Sequence, residues 1–414
     1  MNLNFFKLIF GKKETLQSYL VMILTFSGSL IGIFNQKMII QNYGSNALEI
    51  YFLVLSWFLL TSTLSHLGSR NTFVTLRGND KNHINYFFAS TVISIIFTTI
   101  FGLVTYLTLY VDDAINVNDL SIYIIPYFFF QTINTVIGFY LISIKKPLYA
   151  ISIPFFSIPL SFILLYYKVF DDLFFTFTIS LSISFVFLIF TLISLLDLSL
   201  IQFSPKSIVR YFSLNFPISS KFVFSDFTDV LTNRVSVFFL AYYAKDLSQM
   251  AEFSIAFALL KVSMIGIDSL ATVFSPEIFD ALKESKSKLN SSFKKVRNLF
   301  IFISILSFVV IFFVSESVIH YFFSDKYSNA YKLLLILQIG QIIHSFFGPN
   351  TLLARLYGLP ITIGFYKLIS TLIMIVINFI FYNQFGIYVL AFSYSFSLLL
   401  WNIATRYKIR NLLY

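Results

Sequence analysis

Seven ionisable side chains stand inside runs of sequence that are otherwise apolar enough to cross a bilayer. Lys221, Asp226, Asp229 and Arg234 share the stretch "KFVFSDFTDVLTNRVSVFFLAYY" at 221–243, Lys261 and Asp268 lie on the next apolar run, and Lys367 lies on a later one. A charge at the bilayer centre costs about 2.5–3.5 kcal/mol on insertion scales, so each of these groups must face a partner or a wet cavity rather than lipid. Such groups can neutralise one another, hold a charged cargo or carry a proton.

Spacing narrows the choice. At about 100° per residue, Lys221, Ser225, Asp226, Thr228, Asp229, Thr232, Asn233 and Ser236 fall within roughly half of one helical circumference, with Arg234 beyond one edge. Ser254, Lys261 and Asp268 are nearly in line, and Lys367, Ser370, Thr371 and Asn378 form another stripe at helical spacing. Counted from the turn near Lys245, Asp229 lies 16 residues before and Lys261 16 after, while Lys221 lies 24 before and Asp268 23 after. Both opposite-charge couples therefore sit at matched depth, and ion pairing stands level with direct cargo contact as their role. If both pairs form, Arg234 and Lys367 remain with Asp226 as the spare acid, and the cavity is net positive.

Other polar residues carry less weight. Thr25, Ser29, Gly32 and Gln36 line one helical face, with Lys37 near its outer end, and a packing face is favoured there over a ligand site. Gln131, Asn134, Thr135 and Gly138 either line the cavity or bond to a neighbouring helix. In "QIGQIIHSFFGPN" at 338–350, Gln338, Gln341 and Ser345 share a face, and Gly348 with Pro349 predicts a break or kink. His66, His83, His320 and His344 are scattered without metal-ligand spacing. There is no GxxxxGK phosphate loop, no nucleophile elbow and no paired carboxylates on a substantial loop. Neither an enzyme nor a cofactor is expected.

The elements that must position these residues follow from composition. The chain has 414 residues, is 57% hydrophobic and only 12% charged, far below the roughly 25% charge of soluble domains. Apolar runs of about 20 residues recur from Leu16 onward, each long enough for a helix to cross about 30 Å of hydrocarbon. They are continuous rather than alternating, which favours helices over barrel strands. An all-α polytopic membrane protein is predicted, with about twelve helices over 16–38, 47–67, 84–109, 120–143, 147–167, 173–196, 212–242, 248–273, 298–322, 331–355, 361–382 and 386–406. The first is read as a retained helix, since no small-residue cleavage site follows it. Turn chemistry at 41–46, 111–119, 145–147, 357–360 and 383–386 supports the divisions.

Bases test the count, because cytoplasmic loops are enriched in Lys and Arg. With the N-terminus inside, the inner segments hold Lys7, Lys12, Lys13, Arg70, Arg77, Lys81, Lys145, Lys146, Lys206, Arg210 and most of the bases beyond Lys283, whereas the outer loops hold only Lys168, Lys245, Lys326 and Lys332. Both termini are thus expected in the cytoplasm, and the net charge of +10 is topology signal held against anionic lipid rather than a nucleic-acid surface. No cysteine is present, which excludes disulfides and thiolate chemistry. The largest connection, "SPEIFDALKESKSKLNSSFKKVRN" at 275–298, reads as an interfacial helix. It follows the eighth helix as the basic loop at 68–83 follows the second, which predicts two parallel six-helix halves, 1–200 and 201–414.

The whole pattern resembles the MOP superfamily and, within it, the Wzx-type flippases of O-antigen and polysaccharide repeat units. "NYGSNALEIYFLVLSWFLLTSTLSHLGSRNTFV" at 42–74 is similar to the family's second-helix region, and "TNRVSVFFLAYYAKDLSQMAEFSIAFAL" at 232–259 to its counterpart in the second half. Pro276 matches a frequent helix-ending proline, and "FFSDKYSNAYKLLLIL" at 322–337 resembles the short outer turn before the tenth helix. The resemblance implies a V-shaped, MATE-like fold in the bacterial inner membrane. It also implies alternating-access export of an undecaprenyl-diphosphate-linked oligosaccharide to the outer leaflet, with Arg234, Lys261 and Lys367 as the cavity cations. Protons or sodium as coupling ions, and other polysaccharide-assembly proteins as partners, follow from the same resemblance. Two alternatives remain: a cation-coupled multidrug antiporter, which typically uses an acid on the first helix where 16–38 has none, and a polytopic enzyme of polysaccharide assembly, which needs larger outer loops.

Overall fold

A computed structural model describes residues 13–69, 72–73, 76, 80–111, 121–144, 146, 152–195, 204–323 and 325–413. The described residues form α-helices with short turns and no strand. In hydrocarbon no water is available to the backbone, so a helix, which satisfies its own N–H and C=O groups, is the form an isolated apolar run takes.

The helices are α1 (Lys13–Tyr43), α2 (Ser45–Ser65), α3 (Asp80–Val111), α4 (Ile124–Ser143), α5 (Ser152–Tyr166), α6 (Leu173–Leu195) and α7 (Pro205–Phe238). They continue as α8 (Leu247–Glu284), α9 (Lys286–Phe323), α10 (Ala330–Phe346), α11 (Asn350–Leu356), α12 (Pro360–Phe385) and α13 (Tyr388–Leu413). Each of the twelve predicted spans falls on one of these helices or, for the tenth, on the pair α10 and α11. Among the described residues nine helices are long and apolar enough to cross a membrane, and α10 with α11, bent by 48°, makes a tenth. The two others fall short for identifiable reasons: the charges of α7 lower its hydropathy, and the described part of α5 is 15 residues long.

Breaks occur where the chain cannot continue a helix cheaply. Gly44 takes φ +88 between α1 and α2, and Pro360 opens α12 at its first turn, where its missing N–H has no intrahelical role. Gly348 and Pro349 separate α10 from α11, as their order in sequence predicts. α7 widens into a π-helix at Phe239–Ala244 before Lys245 turns left-handed at φ 52. Asp246 then caps α8, its carboxylate accepting from Gln249 N at 2.9 Å.

The basic stretch at 275–298 differs from expectation. It is not a separate interfacial helix: α8 runs on to Glu284 and α9 starts at Lys286, with only Ser285 extended between them. The residues there are good helix formers, and Lys288 with Glu284 and Lys295 with Glu277 form ion pairs that join α9 to α8. Several residues used in the sequence reading lie outside the described ones: Lys7, Lys12, Arg70, Arg77, Lys145 and the turn at 112–119, together with the side chains of Lys13, Lys81 and Pro276.

The chain divides into two compact units. One is Ser27–Val230; the other is Leu231–Tyr414, which also takes in the start of the chain up to Phe26. The division falls inside α7. In the first unit Phe73, Tyr86, Phe87, Ile137 and Tyr140 belong to one buried cluster. Polar ties join its helices: Asn35 donates to Ser161 Oγ at 2.8 Å, joining α1 to α5, and Tyr86 donates to Ser219 Oγ at 3.1 Å, joining α3 to α7. In the second unit Phe293, Val296, Phe300, Leu353, Ala354 and Ile409 form part of another. There α10 and α13 approach so closely that a Cβ on Gly340 would stand 2.6 Å from the Cβ of Ser395, the small-residue packing that membrane helices favour.

Candidate functional site

The second unit gathers the predicted cations around two aromatic rings. Phe257 on α8 is almost fully buried, and it carries Arg234 of α7 with its guanidinium carbon 5.6 Å from the ring centroid and Lys261 of α8 with its ammonium at 5.3 Å. Lys367 of α12 is only 3% exposed, and its ammonium stands 4.8 Å from the centroid of Trp401 on α13. Ring faces are electron-rich and hold cations where little water reaches, so the aromatics partly offset the cost of placing positive charge among apolar helices.

Hydroxyls and amides surround these cations. Thr232 and Thr371 share a hydrogen bond of 2.6 Å between α7 and α12, and Ser370 and Thr371 each donate to the Lys367 carbonyl at 2.8 Å. Tyr394 of α13 meets Phe257 edge-on at 5.4 Å and donates to Asn233 Oδ1 at 3.0 Å. Further along the polar stripe of α12, Asn378 accepts from Ser393 at 2.6 Å. Threonine, serine and asparagine at helical spacing thus serve two purposes, joining α12 and α13 to α7 and each other while lining the cations with polar groups.

The remaining predicted residues are placed as follows. Asn233 is in the second unit beside Arg234, and Asp268 is exposed on α8, seven residues beyond the exposed Lys261. Lys221 is exposed, Asp226 and Asp229 are half-buried, and all three fall in the first unit, whereas Lys261 and Asp268 fall in the second. Lys37 and Gln131 are half-buried in the first unit. Asn134 is fully buried there and donates to the Leu181 carbonyl at 3.1 Å, so it ties α4 to α6. Gln338 joins three helices: its Oε1 accepts from Ser263 at 3.0 Å on α8, and its Nε2 donates to the Ser304 carbonyl on α9.

Sequence reasoning did not single out Phe257, Tyr394 or Trp401. In a chain with 54 Phe and 25 Tyr no single ring stands out, but Trp401 is one of only two tryptophans. Among the described residues no cluster of three His, Asp, Glu or Cys side chains could ligate a metal ion. A cavity of about 630 Å³ opens in the first unit, lined by Tyr43, Asn46, Ser121, Asp171 and Asp172 among others, and contains none of the predicted site residues.

No known family profile matches the chain, and no curated protein sequence matches it. Solved structures do. The polytopic helical fold is shared with these structures. An outward-facing multidrug resistance MATE family transporter is similar at 14% identity and TM-score 0.72, over 98% of both chains. A MATE structure in complex with MaL6 gives 15% identity and TM-score 0.70 over 95% of each. The lipid II flippase MurJ in an inward closed conformation gives 17% identity and TM-score 0.65, covering 95% of this chain and 87% of MurJ. At these identities the likeness is one of architecture.

Proposed function

We propose that the chain is a flippase. It moves an undecaprenyl-diphosphate-linked oligosaccharide, an O-antigen, capsular or exopolysaccharide repeat unit, from the cytoplasmic to the outer leaflet of a bacterial inner membrane by alternating access. The observation that carries this is the gathering of Arg234, Lys261 and Lys367 on membrane helices of one unit, held against Phe257 and Trp401 amid threonine, serine and asparagine. A diphosphate brings the negative charge that such a site attracts, Arg supplies a planar fork for phosphate oxygens, and the neighbouring hydroxyls and amides suit sugar hydroxyls. The fold shared with a lipid II flippase supports the same class of cargo.

Arg234→Ala and Lys367→Ala are expected to insert normally and to impair surface-glycan export. Full export by the double variant overturns the assignment. The inside-negative potential supplies about 2.3 kcal/mol per charge per 100 mV to an anion moving outward. Asp226 is the candidate proton carrier, and an Asp226→Asn variant that keeps its full dependence on a pH gradient removes it. The base asymmetry supports cytoplasmic termini, and the absence of native cysteine makes single-cysteine labelling from either side a clean measurement of this topology.

A second reading has its own support in the likeness to multidrug MATE transporters. Proteoliposomes separate the two: sodium- or proton-driven efflux of a cationic dye with no movement of a lipid-linked diphosphate selects the antiporter.

A further inference from the structure

The base-rich ends of the second unit contain a group that topology alone does not explain. Arg297 on α9, Arg355 on α11 and Arg406 on α13 are half-buried, whereas Lys286, Lys288, Lys294 and Lys295 nearby are exposed. Charges kept only as topology signal stay in water, as those lysines do. The three arginines instead stand within three residues of members of one packed cluster, which contains Phe293 and Val296 of α9, Leu353 and Ala354 of α11, and Ile409 of α13. The Arg406 guanidinium carbon lies 4.8 Å from the Phe293 ring centroid. Arg297 is four residues further along α9, about 6 Å on the same face. At the break before α11, Gly348 at φ +67 seats directly on Arg297: an added Cβ would stand 2.8 Å from the Arg297 Cβ. Beyond that break, Leu353 and Ala354, which precede Arg355 on α11, join Phe293 and Val296 in the same buried cluster.

Hydrogen-bonding capacity there is left open. Nε of Arg297 is closed to solvent and has no acceptor. Asn350, the first residue of α11, is 0% exposed, and neither its Nδ2 nor its Oδ1 has a partner. Buried polar groups are nearly always hydrogen-bonded, so an orphaned guanidinium nitrogen on Arg297 and an orphaned amide two residues from the glycine that seats on Arg297 mark a place for a ligand. Three guanidinium groups select phosphate, whose oxygens match the planar fork two at a time.

We propose that Arg297, Arg355, Arg406 and Asn350 form a phosphate-binding site at the base-rich end of α9, α11 and α13, which takes the phosphate of an anionic lipid headgroup. Basic pockets between membrane helices on the cytoplasmic side are suited to this chemistry. The site lies more than one turn along α13 from Trp401 and the buried Lys367, and it stands whether or not the cargo is a lipid-linked glycan.

The test is thermal unfolding of the purified full chain in detergent micelles carrying phosphatidylglycerol, phosphatidylcholine or sodium pyrophosphate. Phosphatidylglycerol is expected to raise the melting temperature where phosphatidylcholine does not, since a ligand that binds only the folded state stabilises it. Arg297→Lys with Arg406→Lys keeps the charge but removes the fork, and it is expected to weaken binding by about tenfold or more. Lys286→Gln with Lys288→Gln is expected to leave the shift intact. A shift with pyrophosphate but not with phosphatidylglycerol keeps the site and assigns its phosphate to a free or isoprenoid diphosphate. The proposal is overturned if neither anion acts on the wild-type protein, or if the lysine variant loses the shift as fully as the arginine variant. Should the arginine variant not fold, native mass spectrometry of the wild-type chain decides: retention of one phosphatidylglycerol against excess phosphatidylcholine supports the site, and equal retention overturns it.

Discussion

Gly68→Ala tests how tightly α7 is seated in the first unit. Gly68 follows α2 at φ +66, and a Cβ built on it would stand 2.4 Å from the Ser219 carbonyl oxygen and 3.2 Å from both Ser219 C and Val223 N. All three are backbone atoms of α7, so no rotamer change relieves the clash. Ser219 is held there from both sides, donating to the Leu67 carbonyl and accepting from Tyr86. An alanine in the left-handed region costs about 1–2 kcal/mol, and overpacking a well-filled site costs about 1–3 kcal/mol more. The sum, about 2–5 kcal/mol, is a large part of the roughly 5–15 kcal/mol that separates folded from unfolded domains. Gly358→Ala is the control, because Gly358 has φ +83 but nothing within 4 Å of an added Cβ, so only the backbone cost of about 1–2 kcal/mol applies. Thermal unfolding of the detergent-solubilised variants should rank wild type above Gly358→Ala and that above Gly68→Ala. Equal melting temperatures for the two variants would refute the seating of α7 on the turn after α2.

Gly340→Ala should destabilise by about 1–3 kcal/mol, because Ser395 Cα would lie 2.9 Å from the new methyl; Gly32→Ala, with open space around it, should be neutral in the same melting assay. Asp246→Ala removes the cap on α8 and should cost about 1 kcal/mol, read as a lower melting temperature that Asp246→Asn largely spares.

Helix identity was legible because hydrocarbon leaves the backbone no alternative, so among the described residues apolar length located nine of the segments, or ten with the bent pair. The kink at Gly348 was legible for the same local reason. What local pattern could not show was how far helices extend past the membrane, since Lys, Glu and Ser in 275–298 serve equally in an interfacial turn and in the ends of α8 and α9. The seating of Ser219 against Leu67 and Tyr86 was also hidden, because these bonds join residues more than a hundred positions apart. At the candidate site the cations were found from their rarity in apolar sequence. Their aromatic partners were not, because which ring faces which ammonium depends on how α8, α12 and α13 pack. Asn134 looked equally suited to cargo and to packing until its bond to Leu181 gave it a place.

α9 is the least buried of the membrane-length helices described, and Phe302, Ile305, Leu306, Val310, Phe312 and Phe313 all lie on its surface. Lipid distinguishes poorly among such residues: Leu, Ile, Phe and Val differ by only about 0.3 kcal/mol in insertion free energy at a helix centre. Such a helix is written in a degenerate alphabet, in which one apolar letter replaces another at almost no cost. Drift along surfaces of this kind erodes sequence identity without moving a helix axis, which accounts physically for an architecture held in common with proteins that share about one residue in seven.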